Sequence, residues 1–220
     1  MKKLKMAIDL LCALSVAAAL AAIAFLPDEV PAHYGLGGEV DRYGSKYEML
    51  IFPALNLAAR LAMAGLTRLA ATVEKDDMTG HVMRFVTALM LMFFLLMQLY
   101  FFYAAAVDAQ NLNDLPLGVW QLQMGAMGVF FIPLGLAMPK AGRNSAVGFR
   151  CKWSMMNDEV WALSQRFAGR AMAASGALTI VCAAVLPGAW SAAAAAVILA
   201  VMAIADNAYA KRAYFKLRGF

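Results

Sequence analysis

His33 and Asp41 stand eight residues apart in a polar stretch, LPDEVPAHYGLGGEVDRYGSK, that also holds Asp28, Glu29, Glu39, Arg42, Lys46 and four glycines. One imidazole and four carboxylates in so short a segment are the raw material of a cation site. The set is incomplete for any common metal: a lone histidine without cysteine is a poor zinc donor set, and the oxygens lack the spacing of a calcium loop. No metal or other cofactor is expected. Asp41 three residues before Gly44 suits a turn closed by the aspartate side chain. No Ser-His-Asp, HExxH or phosphate-cradling pattern accompanies these groups anywhere in the chain, which lowers an enzymatic reading. His33, Asp41 and Arg60 are the groups that a membrane-embedded enzyme or small transporter would use.

A second set of polar residues interrupts apolar sequence. Arg60 is the costliest, because a charge at mid-depth in a bilayer needs a partner or a water-filled cavity. Asp9 and Asp206 are its candidate partners, both placed toward the opposite end of the bundle from the polar stretch. Glu48, Asn56 and Arg60 are spaced by multiples of four and share a broad helical face. Asn56, Gln98, and Gln121 or Gln123 lie shallower, roughly 5–12 Å below the outer surface by helical rise. Two readings stay open for them: hydrogen bonds between helices, or an outward-facing polar cleft with the loop as its lid.

The elements that must position these groups follow from composition. Of 220 residues 63% are hydrophobic and 15% charged, and the mean hydropathy is +0.67. A soluble domain carries roughly 25% charged residues, so this surface is not built for water. The apolar residues come in blocks long enough to cross a hydrocarbon core of about 30 Å. The expected fold is an all-α integral membrane protein, a single domain of six transmembrane helices over about 6–26, 48–71, 82–107, 119–138, 171–186 and 190–210. A polar outer loop, 27–47, joins helices 1 and 2, and a basic cytoplasmic loop, 139–170, joins helices 4 and 5. The basic start and alanine-rich first run have the look of a signal peptide, but the run is longer than a usual signal core, so helix 1 is retained. Tyr100, Phe101, Phe102 and Tyr103 suit an interfacial aromatic belt, Pro133 suits a kink, and the methionines suit gap-filling in a bundle. Cys12, Cys151 and Cys182 form no disulfide framework.

Charge sets the orientation. Sixteen of the 19 lysines and arginines fall at the termini, the 2–3 turn and the 4–5 loop, whereas only Arg42 and Lys46 lie on the other face. The positive-inside rule makes the rich face cytoplasmic, with both termini inside. The net charge of +5 then reflects topology and attraction to anionic lipid rather than nucleic-acid binding.

The basic loop carries the second polar motif, GRNSAVGFRCKWSMMNDEVWALSQRFAGR. Asn157 before Asp158 and Glu159 reads as a helix N-cap with acidic first-turn residues. A helix from there puts Trp161 and Gln165 on one face and leads into helix 5. Trp153 and Trp161 suit the inner interface, and the arginines suit lipid phosphates. The segment reads either as an amphipathic surface helix or as a docking surface for a cytoplasmic partner.

The two motifs together resemble the SdpI/YfhL family of bacterial membrane proteins. The outer segment matches its pattern LPxxVPxH…G…DxxGSK through Pro27, Pro31, His33, Gly38, Asp41, Gly44, Ser45 and Lys46. The inner segment matches RNxxxGxRxxWTxxxxxVWxxxHRxxG through Arg143, Asn144, Gly148, Arg150, Trp153, Val160, Trp161, Arg166 and Gly169. Two positions depart: Ser154 stands for the pattern's threonine, and Gln165 for its histidine, which removes a titratable group. The resemblance implies a bacterial cytoplasmic-membrane immunity protein that protects against a secreted peptide toxin and relays its presence to a cytoplasmic repressor. It assigns recognition to Pro31, His33, Gly38, Asp41, Gly44, Ser45 and Lys46. It assigns partner contact to Arg143, Asn144, Gly148, Arg150, Trp153, Trp161 and Arg166. The alternative is a transporter or membrane-embedded enzyme using the outer cleft.

The charge asymmetry predicts that cysteines placed singly at Glu39 and Asn113 label with an impermeant thiol reagent on intact cells, while Cys151 labels only after permeabilisation. Labelling of Cys151 on intact cells overturns the layout.

Overall fold

A computed structural model of the chain describes residues 2–73, 77–143 and 147–219. Its long helices are α1 Lys2–Phe25, α2 Ile51–Val73, α3 Asp77–Ala106, α4 Val119–Ala137, α5 Asp158–Val185 and α6 Trp190–Leu217. Among the described residues six helices are long and apolar enough to cross a membrane, and the protein is a multi-pass, helical membrane protein.

Local chemistry sets the helix ends. Proline cannot donate to the ladder and restricts the residue before it, so α1 ends at Phe25, just before Leu26-Pro27. Pro53 is tolerated because it sits in the first turn of α2, where its missing N–H has no helical partner anyway. Pro133 lies inside α4 without ending it. The N-terminus of α4 is closed by the Gly118 N–H donating to Gln121 Oε1 at 3.2 Å. Asn157 caps α5, its Oδ1 accepting the Val160 N–H at 2.8 Å, with Asp158 and Glu159 favoured by the helix dipole. That cap moves the start of α5 from the expected 171 to Asp158, so the last part of the expected loop is helix. The outer loop differs too. Glu29–Tyr34 (β1) and Val40–Ser45 (β2) pair as an antiparallel hairpin, followed by a 3-10 turn over Lys46–Leu50.

The six helices pack as two triplets. In the first, α3 lies against both α1 and α2; in the second, α5 lies against both α4 and α6, and α3 touches α4 between them. The α4–α5 seam is the closest. A Cβ on Gly128 would stand 2.5 Å from the Gly176 carbonyl oxygen, and one on Gly176 would stand 2.6 Å from that of Gly128; Gly135 and Gly169 approach still more closely. Both glycine pairs are spaced seven residues apart, two helical turns, so they fall on one face of each antiparallel helix. In lipid, where no hydrophobic effect drives helices together, such backbone approach is a main source of association.

Gly135→Leu therefore lowers stability by about 3 kcal/mol or more, since the side chain meets backbone rather than a movable neighbour. A Cβ on Gly65 would meet no atom within 4 Å, so Gly65→Ala is neutral or stabilises by up to about 1 kcal/mol. Thermal unfolding of both variants in the same detergent checks the contrast, and equal losses overturn the seam.

Candidate functional site

At one end of the bundle the hairpin folds over the helix ends and docks on the 3–4 connection. Val40 N donates to Gln110 O at 2.9 Å and Leu112 N to Gly38 O at 2.8 Å, while Asn113 Nδ2 reaches Gly37 O at 2.6 Å. Gly38 has φ +90°, and a Cβ there would stand 2.7 Å from Asn113 Nδ2, so both its backbone angle and its space require glycine. Tyr43 adds hydrogen bonds to Asp108 and Gln110. Beneath, Val30 is buried with Leu26, Met49 and Phe102 in one apolar cluster.

The charged residues of the outer motif serve the hairpin itself. His33 Nδ1 lies 2.7 Å from Asp41 Oδ1, across the strands. Asp41 therefore does not close a turn; the bend lies at Gly35–Gly38, where Gly38 N donates to Gly35 O and Gly35 N to Glu39 O. Lys46 Nζ meets Asp28 Oδ1 at 2.9 Å, tying the end of the hairpin to its start. Ser45 Oγ accepts the Tyr47 N–H at 3.4 Å at the head of the 3-10 turn. Gly44 leaves room for Glu48, whose carboxylate takes both Arg42 nitrogens at 3.0 and 2.7 Å. That bidentate bond raises the Arg42 pKa and keeps Glu48, in the 3-10 turn, off the α2 face shared by Asn56 and Arg60.

Between hairpin and helices lies a cavity of about 380 Å³, with Pro31 and His33 from β1 on its wall. Phe52, Phe101, Leu112 and Trp120 line it with apolar surface. Phe101 stacks on Phe52 at 5.7 Å, and Phe102 meets Phe52 edge-on at 5.6 Å. The expected aromatic belt is thus divided: Phe101 and Phe102 pack inward and Tyr103 stays exposed. The reason is that the hairpin gives these rings an apolar partner. Tyr34 also lines the cavity, and its hydroxyl is buried without a hydrogen-bond partner among the described residues. Burial pushes its pKa up to about 12, so it stays a protonated donor. Sequence reasoning missed Tyr34, Phe52 and Trp120; the signal available was the position of Tyr34 beside His33 in a strand.

Asn56 and Gln98 do not line that cavity. Ser15 Oγ donates to Gln98 Oε1 at 2.5 Å and accepts from Asn56 Nδ2 at 3.0 Å, and Gln98 Nε2 donates to the Ser15 carbonyl at 2.8 Å. All three are buried, so they join α1, α2 and α3 rather than open a polar cleft. Gln121 is taken by the α4 cap, and Gln123 alone of this set borders the outer cavity. Arg60 hydrogen-bonds and ion-pairs with Asp9; Asp206 lies elsewhere, on α6.

The inner motif folds on the first turns of α5. Gln165 Nε2 donates to Phe149 O at 2.8 Å and its Oε1 accepts Phe149 N–H at 2.9 Å, a two-point clamp on the backbone. Gly148, at φ +112°, is needed because a Cβ would stand 2.5 Å from Gln165 Oε1. Ser154 Oγ accepts from Cys151 N at 2.9 Å and bonds the Phe149 carbonyl at 3.1 Å. Trp161 is buried, its indole N–H donating to Ala141 O at 3.0 Å, so it is a core residue rather than an interfacial anchor. Trp153 packs against Tyr214 and Phe215 of α6 at 5.3 and 5.4 Å. Arg143 bonds Asp158 at 2.7 Å and the Met155 carbonyl at 3.1 Å. Arg150 and Arg166 are exposed. Asn144 lies outside the described residues, as do Glu74, Lys75 and Asp76 of the expected 2–3 turn.

Asp9→Leu destabilises the bundle by about 3 kcal/mol because it strands the Arg60 charge in the membrane region. The double variant Asp9→Leu with Arg60→Met recovers most of that loss. Urea or thermal unfolding in detergent checks this cycle, and strictly additive losses remove the coupling.

Comparison with known proteins bears on both motifs. A family model described as a domain of unknown function (DUF1648) matches residues 10–57, and that of the SdpI/YfhL protein family matches 140–205. An uncharacterized protein of Archaeoglobus fulgidus is 46% identical over 48 residues, 22% of this chain and 26% of that protein, so the match spans about a quarter of its length. The protein named Immunity protein SdpI from Bacillus subtilis (strain 168) is 24% identical over 176 residues, 80% of this chain and 79% of that one. No solved structure matches at a significant level. The inner motif lies inside the segment that matches the SdpI/YfhL family model, and the alignment to Immunity protein SdpI runs through most of the chain, so this membrane protein is similar to that family.

Proposed function

We propose that this chain is a non-enzymatic immunity and sensing protein: its hairpin end recognises a secreted peptide toxin, and its motif end contacts a cytoplasmic repressor. In this reading the protein sits in a bacterial cytoplasmic membrane with both termini inside. The observation that carries it is the aromatic-floored cavity under the hairpin, with the motif residues Pro31 and His33 on its wall. A pocket that is mostly apolar with a few fixed polar groups suits an amphipathic peptide side chain. The 24% identity to Immunity protein SdpI along most of both chains supports the same class. Asp41 enters by holding His33, and Gly38, Gly44, Ser45 and Lys46 enter by holding the hairpin's shape.

Exposed Arg150 and Arg166 are the proposed partner contacts, with Arg143, Gly148, Trp153 and Trp161 supporting the surface that presents them. The transporter or enzyme alternative draws less support, because Ser15 joins Asn56 and Gln98 in one satisfied cluster and Arg60 is held by Asp9.

In cells challenged with secreted peptides encoded beside this chain, it protects relative to empty vector. Ala32 also lines the cavity, and at matched membrane levels Ala32→Trp, which fills it, lowers protection about tenfold or more, a loss of at least one decade in affinity. Asp41→Ala lowers it less, and Arg150→Ala leaves toxin binding intact while reducing partner co-purification. Full protection by Ala32→Trp removes the cavity from recognition, and loss of binding in Arg150→Ala removes the division of labour.

A further inference from the structure

Asp206 was the alternative partner for Arg60, and the structure gives that partnership to Asp9. Asp206 is 2% exposed, and its Oδ1 has no hydrogen-bond partner among the described residues. It borders a cavity of about 790 Å³ between the two helix triplets, on the side of the bundle that carries the inner motif. The wall is rich in methionine, with Met63 from α2, Met83 from α3, Met138 just after α4, Met172 from α5 and Met202 from α6. Unbranched thioether side chains adapt to varied apolar shapes and are favoured at promiscuous binding surfaces. The volume is that of a small-molecule site.

We propose that this cavity binds an amphiphilic amine, its protonated head on Asp206 and its hydrocarbon body against the methionines. A buried acceptor without a donor is costly in a membrane, where no water is at hand to satisfy it. An ammonium group supplies both the missing N–H and the counter-charge, and an alkyl chain matches the rest of the wall. Arg150, also on the wall, does not supply them: it is exposed, and Asp206 Oδ1 is left without a hydrogen-bond partner among the described residues. Being exposed, Arg150 makes no demand for a partner equal to that of the buried Asp206. The site is separate from the outer cavity, so it stands or falls independently of toxin recognition.

The test is binding of dodecylamine to the full chain in phosphatidylcholine nanodiscs at neutral pH, against 1-dodecanol and dodecyl phosphate, with empty nanodiscs subtracted. The amine binds wild type about tenfold more tightly than the alcohol, the margin of one charge-assisted hydrogen bond. Asp206→Asn erases that preference. Met202→Trp, which keeps the carboxylate but fills the space, abolishes binding of both. Equal binding of amine and alcohol to wild type overturns the proposal, as does an undiminished amine preference in Asp206→Asn. Tighter binding of dodecyl phosphate than of the amine overturns it in favour of an anion at Arg150. Should Asp206→Asn fail to fold, the wild-type comparison of the three probes and the Met202→Trp result decide the matter.

Discussion

Ser15 is the point on which the first three helices turn. Its hydroxyl bonds Gln98 and Asn56 at once, and its carbonyl takes the Gln98 amide. Hydrogen bonds between membrane helices contribute on average only about 0.6 kcal/mol each, because the separated helices also find partners. An unpaired amide in hydrocarbon costs several kcal/mol. The asymmetry means that the cluster contributes little to net stability but excludes every register in which one member is left alone. Alignment of α1, α2 and α3 follows from that exclusion, and with it the platform on which the hairpin rests. Asp9 and Arg60 impose the same condition with charges, again between α1 and α2.

The second triplet solves its packing along a different route. Gly128, Gly135, Gly169 and Gly176 bring two backbones together along the α4–α5 seam. Dispersion over a long, close contact takes the place that hydrogen bonds hold in the first triplet. Two triplets with different internal glue and light contact between them leave room at their junction, and the large methionine-lined cavity lies there.

Both polar motifs are built from residues that hold one another. In the hairpin, Asp28 with Lys46 and Arg42 with Glu48 pair opposite charges beside the strands, and His33 hydrogen-bonds Asp41 across them. In the inner motif, Gln165 and Ser154 bind the backbone around Phe149. A glutamine amide sets an N–H donor beside a carbonyl acceptor at the right spacing to take both backbone groups of Phe149, a two-point match that neutral imidazole, with its donor and acceptor pointing apart, does not offer. The departure Gln165 is therefore compatible with a structural task at that position. Most motif residues position a surface; few of them present one.

Much of the architecture was legible in the residues. Apolar blocks of spanning length specify six helices, because a bilayer core admits little else. Asn157 with Asp158 and Glu159 announced a helix start, since capping is local chemistry and depends on neighbours in sequence. The motif pair also pointed to the family. Tertiary structure decided the rest. The outer loop's prolines, glycines and charges read as a lid or a recognition loop, and its strands were not legible until long-range pairing set His33 against Asp41. Likewise Phe101 and Phe102 read as part of an interfacial belt until a hairpin lay over them. Arg60 had two carboxylates within plausible reach, and only helix arrangement chose Asp9 and left Asp206 facing a cavity. Periodicity tells which residues share a helix face. It does not tell which neighbour that face meets, because that depends on all six helices at once.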